Sequence, residues 1–172
     1  VVHQGQAVGK LVRVIREHRP QVVITFGSDG IYGHYDHIAV HRWTTIAAEL
    51  AADPDCFPGQ MSETCQPHQV SKLYYRVLSE EQVAAIAEEG QRASVDMDGV
   101  PFYFVAYPED EITTVIDVSD YVEAKLRGIR CHITQVGQAT PFDESLEEAR
   151  RDLAFQRESF ILAQSTMGRP EE

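Results

Sequence analysis

The sequence predicts an α/β fold built around a doubly wound sheet, in one domain that covers residues 1–172. Three observations carry this prediction. A helix-spaced segment, a β-branched segment and a second helix-spaced segment follow one another in residues 4–52, the order that packs helices against a parallel sheet. The length of 172 residues suits one such domain. The 43% hydrophobic and 24% charged residues are ordinary for a globular protein.

The first helix and strand are predicted from spacing and residue type. Apolar residues recur at helical spacing over residues 4–18, at Ala7, Val8, Leu11, Val12 and Ile15. Pro20 ends this helix, because proline disfavours helical backbone in the residue before it. The β-branched run over residues 21–26 then predicts a buried strand.

A glycine-containing loop and a second helix follow this strand. Residues 27–35 predict the loop, and Asp36 is expected to cap a helix that ends near Ala52. Residues 53–70 are rich in Pro, Gly, Gln and Ser and predict a long irregular loop. We expect that loop to have a surface or subunit-contact role, with a direct role in substrate binding as the alternative.

The remaining elements alternate between strands and helices. The sequence predicts strands at 72–78, 102–107 and 112–118, and helices from Ser79 to Glu89, from Ser119 or Asp120 to Cys131, and a final amphipathic helix that opens at Asp143 and includes Phe160.

Charge and cysteine content restrict the classes of partner and compartment. The net charge of −12 argues against a nucleic-acid partner, because an acidic surface repels phosphate backbones. Three cysteines without CxxC spacing predict free thiols and a cytoplasmic location, although Cys56 and Cys65 could pair.

No apolar run approaches the roughly 20 residues that span a bilayer. The first residues show neither Met nor a signal pattern, so we expect the chain to begin inside a longer protein.

The segment from Asp29 to His37, DGIYGHYDH, concentrates chemically active side chains. It lies between a predicted buried strand and a helix start, where ligands bind in open α/β sheets. His37 is a plausible zinc ligand through a neutral imidazole. His34 could act as a general acid or electrostatic stabiliser, with Asp36 holding its ring in the cationic form. Tyr32 offers a phenol that could donate to an oxyanion.

Two further features are open to simpler interpretations. His41 lies one helical turn after His37, but the glutamate of the HExxH metalloprotease motif is absent, so His41 is expected at the helix surface. The segment from Lys125 to Gln135 combines lysine, histidine and glutamine at a helix end. Cations are favoured there by the helix dipole alone.

Several of these motifs together resemble the PIG-L/LmbE-like family of zinc-dependent de-N-acetylases. The resemblance is carried by RPQVVITF at 19–26, GxYGHxDH at 30–37, TTxIDVS at 113–119, KxxxxxxHxTQ at 125–135 and ESF at 158–160. It implies a Rossmann-like three-layer fold with a mostly parallel sheet. It also implies hydrolysis of an N-acetyl group, typically on an N-acetylglucosamine-type small molecule, by an enzyme that can form homo-oligomers.

The resemblance assigns roles to four residues. His37 matches the zinc-binding histidine, and His34 matches the residue that stabilises the tetrahedral intermediate or protonates the leaving amine. Asp36 matches the partner that tunes this histidine. Tyr32 matches the tyrosine that contacts the substrate carbonyl oxygen. Tyr35 and Thr134 stand where the family usually has proline and serine.

One family motif is missing from the sequence. The other two zinc ligands and the general base come from an AHPDDE segment, which this chain lacks. We therefore expect the chain to be the C-terminal portion of a larger catalytic domain. The alternatives are a non-catalytic carbohydrate-binding or oligomerisation fragment with half a site, and an amidase that acts on a thiol conjugate.

Overall fold

The computed structural model describes residues 3–87, 91–134 and 145–167. Its helices are α1 (Gln4–His18), α2 (Gly30–Gly33), α3 (Tyr35–Leu50), α4 (Glu80–Ile86), α5 (Val122–Arg130), α6 (Leu146–Ala149) and α7 (Leu153–Gln156). Its strands are β1 (Val22–Phe26), β2 (Lys72–Ser79), β3 (Ser94–Met97), β4 (Val100–Tyr103), β5 (Ala106–Tyr107), β6 (Thr114–Asp117) and β7 (Arg157–Ser165). This alternation confirms the predicted α/β class.

The chain divides into two compact units. The first contains the residues up to Arg76 and those from Ile161 onward, and the second is Val77–Phe160. Strands β2 and β7 contribute residues to both. Within the described residues, no helix combines the length and the apolar character that a bilayer crossing requires. Cys56, Cys65 and Cys131 are free thiols, as predicted.

The first unit packs two helices beside a parallel strand pair. Strands β1 and β2 run parallel in the register Val22↔Lys72 to Phe26↔Arg76. Helices α1 and α3 supply most of the apolar core, which consists of Val8, Val12, Ile15, Ala47, Ala48, Ala51, Val70 and Leu73. The bounds of α1 and β1 match the prediction, because helical spacing and a β-branched run are strong local signals.

The carboxyl end of α3 is tied to α1 by a buried arginine. Arg16 is fully buried, and its guanidinium donates to the carbonyls of Ala51 at 3.1 Å, Asp53 at 2.6 Å and Cys56 at 2.8 Å. The Ala51 carbonyl lies at the helix end, where the last carbonyls lack internal partners and carry partial negative charge, and those of Asp53 and Cys56 belong to the loop that follows. Arg16 therefore joins the end of α3 and the start of the following loop to α1.

The irregular loop after α3 follows the prediction and is pinned to α1. The Phe57 ring lies so close to Gly9 that a Cβ there would approach it to 2.9 Å. Gln60 Nε2 donates to the carbonyl of Gly9 at 2.7 Å. Further along, His68 Nε2 bonds the carbonyl of Pro20 at 2.8 Å. The loop is thus held at the end of α3 opposite to the predicted histidine site, which fits a structural role.

Strand β1 keeps one side in contact with solvent. Val22 and Ile24, two residues apart on the strand, retain 46% and 57% of their accessible surface. Alternate residues of a strand point to the same face, so these two side chains form an exposed apolar stripe. The prediction of a strand buried on both faces is wrong for this face of β1.

The second unit combines antiparallel and parallel strand pairs. Residues 157–160 of β7 run antiparallel to β6, and residues 78–79 of β2 run parallel to β5. Strands β3 and β4 form an antiparallel hairpin. A small core of Val122, Leu126, Ala149 and Phe155 lies under α5.

The last predicted helix of the second unit differs from the structure. The final helix was expected to include Phe160, but Phe160 lies in β7 and pairs with Thr114 of β6. Cross-strand pairing outweighs the helical spacing here, and in residues 145–160 the helical backbone is limited to the short α6 and α7. Asp143, the expected start of that helix, and Glu89, the expected end of α4, lie outside the described residues.

The helix α5 begins differently from the prediction. Ser119 and Asp120 were expected to cap it, but they lie in a 3₁₀ turn, and α5 starts at Val122 without a side-chain cap. The Asp117 carboxylate accepts from the Ser119 backbone N–H at 2.9 Å and stabilises the turn instead. The hairpin strand β3 was also not predicted, because the polar and apolar residues of SVDM alternate over only four positions in a polar, glycine-containing segment.

Candidate active site

The DGIYGHYDH segment forms a tight turn between the end of β1 and the start of α3. The Asp29 carboxylate accepts from the Ile31 backbone N–H at 2.6 Å, and the Gly33 N–H bonds the Asp29 carbonyl at 2.9 Å. These bonds fold the chain back on itself within five residues. The four predicted site residues are therefore brought to the amino end of α3.

Gly30 is required by the geometry of this turn. Its φ of +64° lies in the region that favours glycine, and an added Cβ would meet both His37 Cβ and Ile38 Cγ1 at 3.0 Å. Ile31 follows with φ of +71°, an uncommon conformation for a β-branched residue. Such strain costs about 1–3 kcal/mol and is held only by strong surrounding contacts.

His34, and not Asp36, caps α3. The Nδ1 atom of His34 accepts from the Asp36 backbone N–H at 3.1 Å, whereas the Asp36 side chain is exposed in the first helical turn. The prediction that Asp36 caps the helix is therefore wrong. Helical backbone starts at Tyr35, so Asp36 already lies in the first turn, and the cap is His34, two residues before the predicted one. Because Nδ1 must carry a lone pair to accept this bond, a neutral His34 ring holds its proton on Nε2.

His37 is oriented by a backbone carbonyl. Its Nδ1 lies 3.1 Å from the carbonyl oxygen of Gly30, which can only accept, so Nδ1 carries the proton and Nε2 has a free lone pair. Its ring stacks on Phe26 with centroids 3.9 Å apart and an interplanar angle of 5°. Burial lowers the pKa of His37 below its ordinary value, and the hydrogen bond to Gly30 opposes this shift in part. The neutral ring is thus favoured.

Tyr32, His34 and His37 form a cluster of rings. The imidazoles of His34 and His37 stack with centroids 4.6 Å apart, and Tyr32 meets them edge-on at 5.8 Å and 5.3 Å. Burial raises the pKa of the Tyr32 phenol, which therefore stays protonated and able to donate. In this cluster a neutral His34 has a donor at Nε2, and His37 has an acceptor at Nε2.

One side chain at this site, that of His37, is arranged to bind a metal ion. A histidine that donates Nδ1–H to a carbonyl and leaves Nε2 free has the usual orientation of a metal-binding imidazole. In the ranges that the structure describes, no three His, Cys, Asp or Glu side chains are grouped to hold an ion. His37 thus fits a metal site as a single contributor.

His41 lies less exposed than the helix-surface position that its spacing predicted. It is partly buried, and its Nδ1 lies 2.9 Å from the Phe26 carbonyl oxygen. Its ring meets Tyr75 edge-on with centroids 4.7 Å apart. Neither Phe26 nor the carbonyl of Gly30 was predicted as part of the site. The contacts of Phe26 and of the Gly30 carbonyl form only when the chain folds. From the sequence alone, the phenylalanine that ends QVVITF looks like an ordinary core residue.

The motif residues of the second unit contact one another. Lys125 Nζ lies 2.5 Å from Glu158 Oε1 and donates to the carbonyl of Ala154 at 3.1 Å. This pair links the KxxxxxxHxTQ and ESF segments within the unit. The exposed ring of His132 bonds the carbonyl of Gly128 at 3.2 Å. Gln135, the last residue of the motif, lies outside the described residues.

The comparison with protein families matches residues 2–48 to the family described as PIG-L, GlcNAc-PI de-N-acetylase. That range contains the whole candidate site. The motifs in residues 113–160 lie beyond it.

Curated relatives extend the likeness over most of the chain. A protein of Streptomyces avermitilis is 39% identical over 175 residues, and a protein of Frankia alni is 36% identical over 166. Both carry the name 1D-myo-inositol 2-acetamido-2-deoxy-alpha-D-glucopyranoside deacetylase. The alignments cover 97% and 93% of this chain but only 57% and 56% of those relatives, so the chain spans somewhat more than half of their length.

Solved structures share the fold at low sequence identity. The conserved protein TT1542 from Thermus thermophilus aligns with a TM-score of 0.57 at 16% identity, over 97% of this chain and 62% of that chain. The N,N'-diacetylchitobiose deacetylase from Pyrococcus horikoshii aligns with a TM-score of 0.55 at 16% identity, over 92% and 51%. The hydratase GalB from Pseudomonas putida aligns equally well, at 0.55 and 14% identity, over 97% and 62%. These likenesses confirm the predicted fold, and they show that the fold alone does not fix the reaction.

Proposed function

Because the chain is related to the PIG-L de-N-acetylases, we propose that it carries the histidine half of a zinc-dependent de-N-acetylase active site. The proposed reaction is hydrolysis of the acetamide of an N-acetylglucosamine-type small molecule. The names of the relatives support a substrate in which this sugar is joined to inositol. The free cysteines support a cytoplasmic location.

The geometry of His37 carries the proposal. Its Nδ1–H is committed to the Gly30 carbonyl, its ring is stacked on Phe26, and burial lowers its pKa. A ring fixed in this way presents Nε2 as an oriented ligand and favours its neutral form. We assign the remaining metal ligands and the general base to an AHPDDE-type segment, which this sequence does not contain.

The other residues of the cluster act on the substrate. A bound zinc ion would supply an activated water and polarise the acetamide carbonyl. The Tyr32 phenol would donate to the oxygen that becomes negative as the tetrahedral intermediate forms. His34, whose neutral ring has its proton on Nε2, would donate a hydrogen bond to that oxygen. To protonate the departing amine, the ring would first take up a second proton on Nδ1 and give up the bond from the Asp36 N–H. Asp36 contributes through its backbone N–H, which holds the His34 ring in this tautomer.

A chimaera provides a direct test of this function. This chain would replace the matching region of the Streptomyces avermitilis relative, to which it is 39% identical. Release of acetate from the inositol-linked N-acetylglucosamine and from N-acetylglucosamine would be measured with and without a chelator. We expect chelator-sensitive deacetylation by the chimaera.

The controls distinguish catalysis from mere folding of the chimaera. Replacement of His37 by Ala should abolish the activity, whereas replacement of the exposed Arg13 by Leu should leave it unchanged. A folded, metal-loaded chimaera without amide hydrolysis would overturn the proposal and support the non-catalytic alternative. Hydrolysis of a thiol-conjugate amide in preference to both sugars would replace the substrate class.

A further inference from the structure

Two histidines of α3 bond backbone carbonyls in the same way, one helical turn apart. His37 Nδ1 lies 3.1 Å from the Gly30 carbonyl oxygen, and His41 Nδ1 lies 2.9 Å from that of Phe26. In both cases a carbonyl can only accept, so Nδ1 is the protonated atom. The second bond has no part in the reaction proposed above, although it is the shorter of the two.

The Phe26 carbonyl lies on the side of β1 that faces away from β2. The Gly27 N–H, one residue later, bonds the Arg76 carbonyl of β2 at 3.3 Å. Successive residues of a strand direct their backbone groups to opposite edges, so the carbonyl of Phe26 points to the other edge. His41 supplies the donor that this carbonyl needs at the end of the strand.

The same residue, Phe26, is the surface on which His37 rests. The two rings are stacked and nearly parallel, with an interplanar angle of 5° and centroids 3.9 Å apart. A change in the backbone position of Phe26 would move the Phe26 ring. It would therefore also change the surface against which the His37 imidazole is stacked. His41 is in turn fixed by Tyr75, whose hydroxyl lies 3.2 Å from Thr45 Oγ1.

We propose that His41 is a positioning residue for His37. Its Nδ1–H holds the end of β1, and the Phe26 ring transmits that position to the imidazole of His37. The inference rests on the proposed function, because it takes His37 to be a metal ligand. The orientation of His37 can nevertheless be measured without metal or substrate, so the two proposals can fail separately.

The test compares two substitutions of His41 in this chain. His41→Phe removes the donor and keeps a ring, whereas His41→Asn keeps an N–H close to the position of Nδ1. Long-range ¹H–¹⁵N spectra, recorded well above the ordinary imidazole pKa of about 6.5, report the tautomer of His37. In His41→Phe the Nδ1–H form of His37 should change from the dominant to a minor species. His41→Asn should restore it.

A zinc titration followed by the His37 ring signals gives a second readout. We expect the apparent affinity to fall about tenfold in His41→Phe, the lower end of the usual effect of losing an outer partner of a metal ligand. The apparent zinc affinity of His41→Asn should stay within about twofold of that of the wild type, much less than the loss expected for His41→Phe.

Two further variants keep the proposal falsifiable. His68→Leu removes a matched bond from an imidazole to a carbonyl, that to Pro20 at 2.8 Å, in the loop that is pinned to α1. It should lower the melting temperature without altering His37. Phe26→Leu removes the stacked ring but keeps the carbonyl, and it should reproduce the His37 change of His41→Phe. An unchanged His37 tautomer in a folded His41→Phe or Phe26→Leu protein overturns the proposal, as does an equal effect of His68→Leu.

Discussion

The two ends of helix α3 are built on different principles. At the amino end, single side chains hold single backbone groups, His34 on Asp36 N–H and His37 on the Gly30 carbonyl, beside the strained Ile31. At the carboxyl end, one fully buried side chain, that of Arg16, donates to several carbonyls at once.

The amino end of α3 thus orients side chains, and the carboxyl end anchors the helix. The amino end fixes the direction in which ring nitrogens point, and its strain is tolerated because the carboxyl end and α1 hold the helix in place. Substitutions at the amino end should therefore change chemistry more than stability. Those at the carboxyl end should do the reverse.

The largest effect is expected from the two imidazoles of the amino end. In the active chimaera or a complete enzyme that contains this segment, His34→Ala should retain metal and lose roughly 10²–10⁴ in rate, because it removes an oxyanion or proton partner. His37→Ala should lose metal and activity together. Metal content and turnover, measured on the same samples, decide between these roles. Zinc lost from His34→Ala and kept by His37→Ala would reverse them.

At the carboxyl end, Arg16→Leu should lower the free energy of unfolding by about 2–4 kcal/mol, because the carbonyls at the end of α3 lose their charged donor. Denaturant titration measures this change. Arg13→Leu, an exposed arginine of the same helix, is the matched control and should change stability by less than about 0.5 kcal/mol. Similar losses in both variants would mean that charge on α1, and not the contacts with the end of α3, is responsible.

The same substitution, glycine to alanine, can be made near each end of α3 and its effect on stability compared. Gly30→Ala should destabilise the fold by roughly 1–3 kcal/mol, because its φ is positive and the new Cβ would press on His37 and Ile38. Gly59→Ala, in the loop pinned to α1, meets no atom within 4 Å and should be close to neutral. Thermal unfolding of both proteins tests this. A neutral Gly30→Ala would show that the turn can relax without cost.

The smallest expected effect is a pH dependence at the amino end. Burial lowers the pKa of His37 in the folded state, so the unfolded chain binds the proton more readily. The stabilisation is complete above the ordinary imidazole pKa of about 6.5 and is lost as the pH falls through the lower folded value. The difference in melting temperature between the wild type and His37→Gln should therefore change as the pH falls below 6.5. A constant difference would contradict this expectation.

The sequence predicted the elements whose signals are local. The bounds of α1 and β1 follow from helical spacing and a β-branched run, and the irregular loop at 53–70 follows from its turn-forming residues. The position of the DGIYGHYDH segment between a strand and a helix start was predicted correctly, because a strand followed by glycines and a helix start is itself a local pattern.

The sequence could not predict which groups hold these side chains. By residue type Asp36 is the better cap, but helical backbone already starts at Tyr35 after the tight turn, so Asp36 lies inside the helix and His34 is the cap. The stack of His37 on Phe26 and the bond from His41 to the same residue require the parallel pairing of β1 to be known first. Likewise, Phe160 entered a strand because β6 lies beside it.

The exposed stripe on β1 has a consequence for handling the chain in solution. Val22 and Ile24 present adjacent apolar surface on a strand, which favours contact between copies. The net charge of −12 opposes that contact by mutual repulsion at neutral pH. This repulsion disappears near the isoelectric point of about 4.9, and added salt screens it. Dilute buffers well above that pH should therefore keep copies apart, and salt-rich or mildly acidic solutions should bring them out of solution.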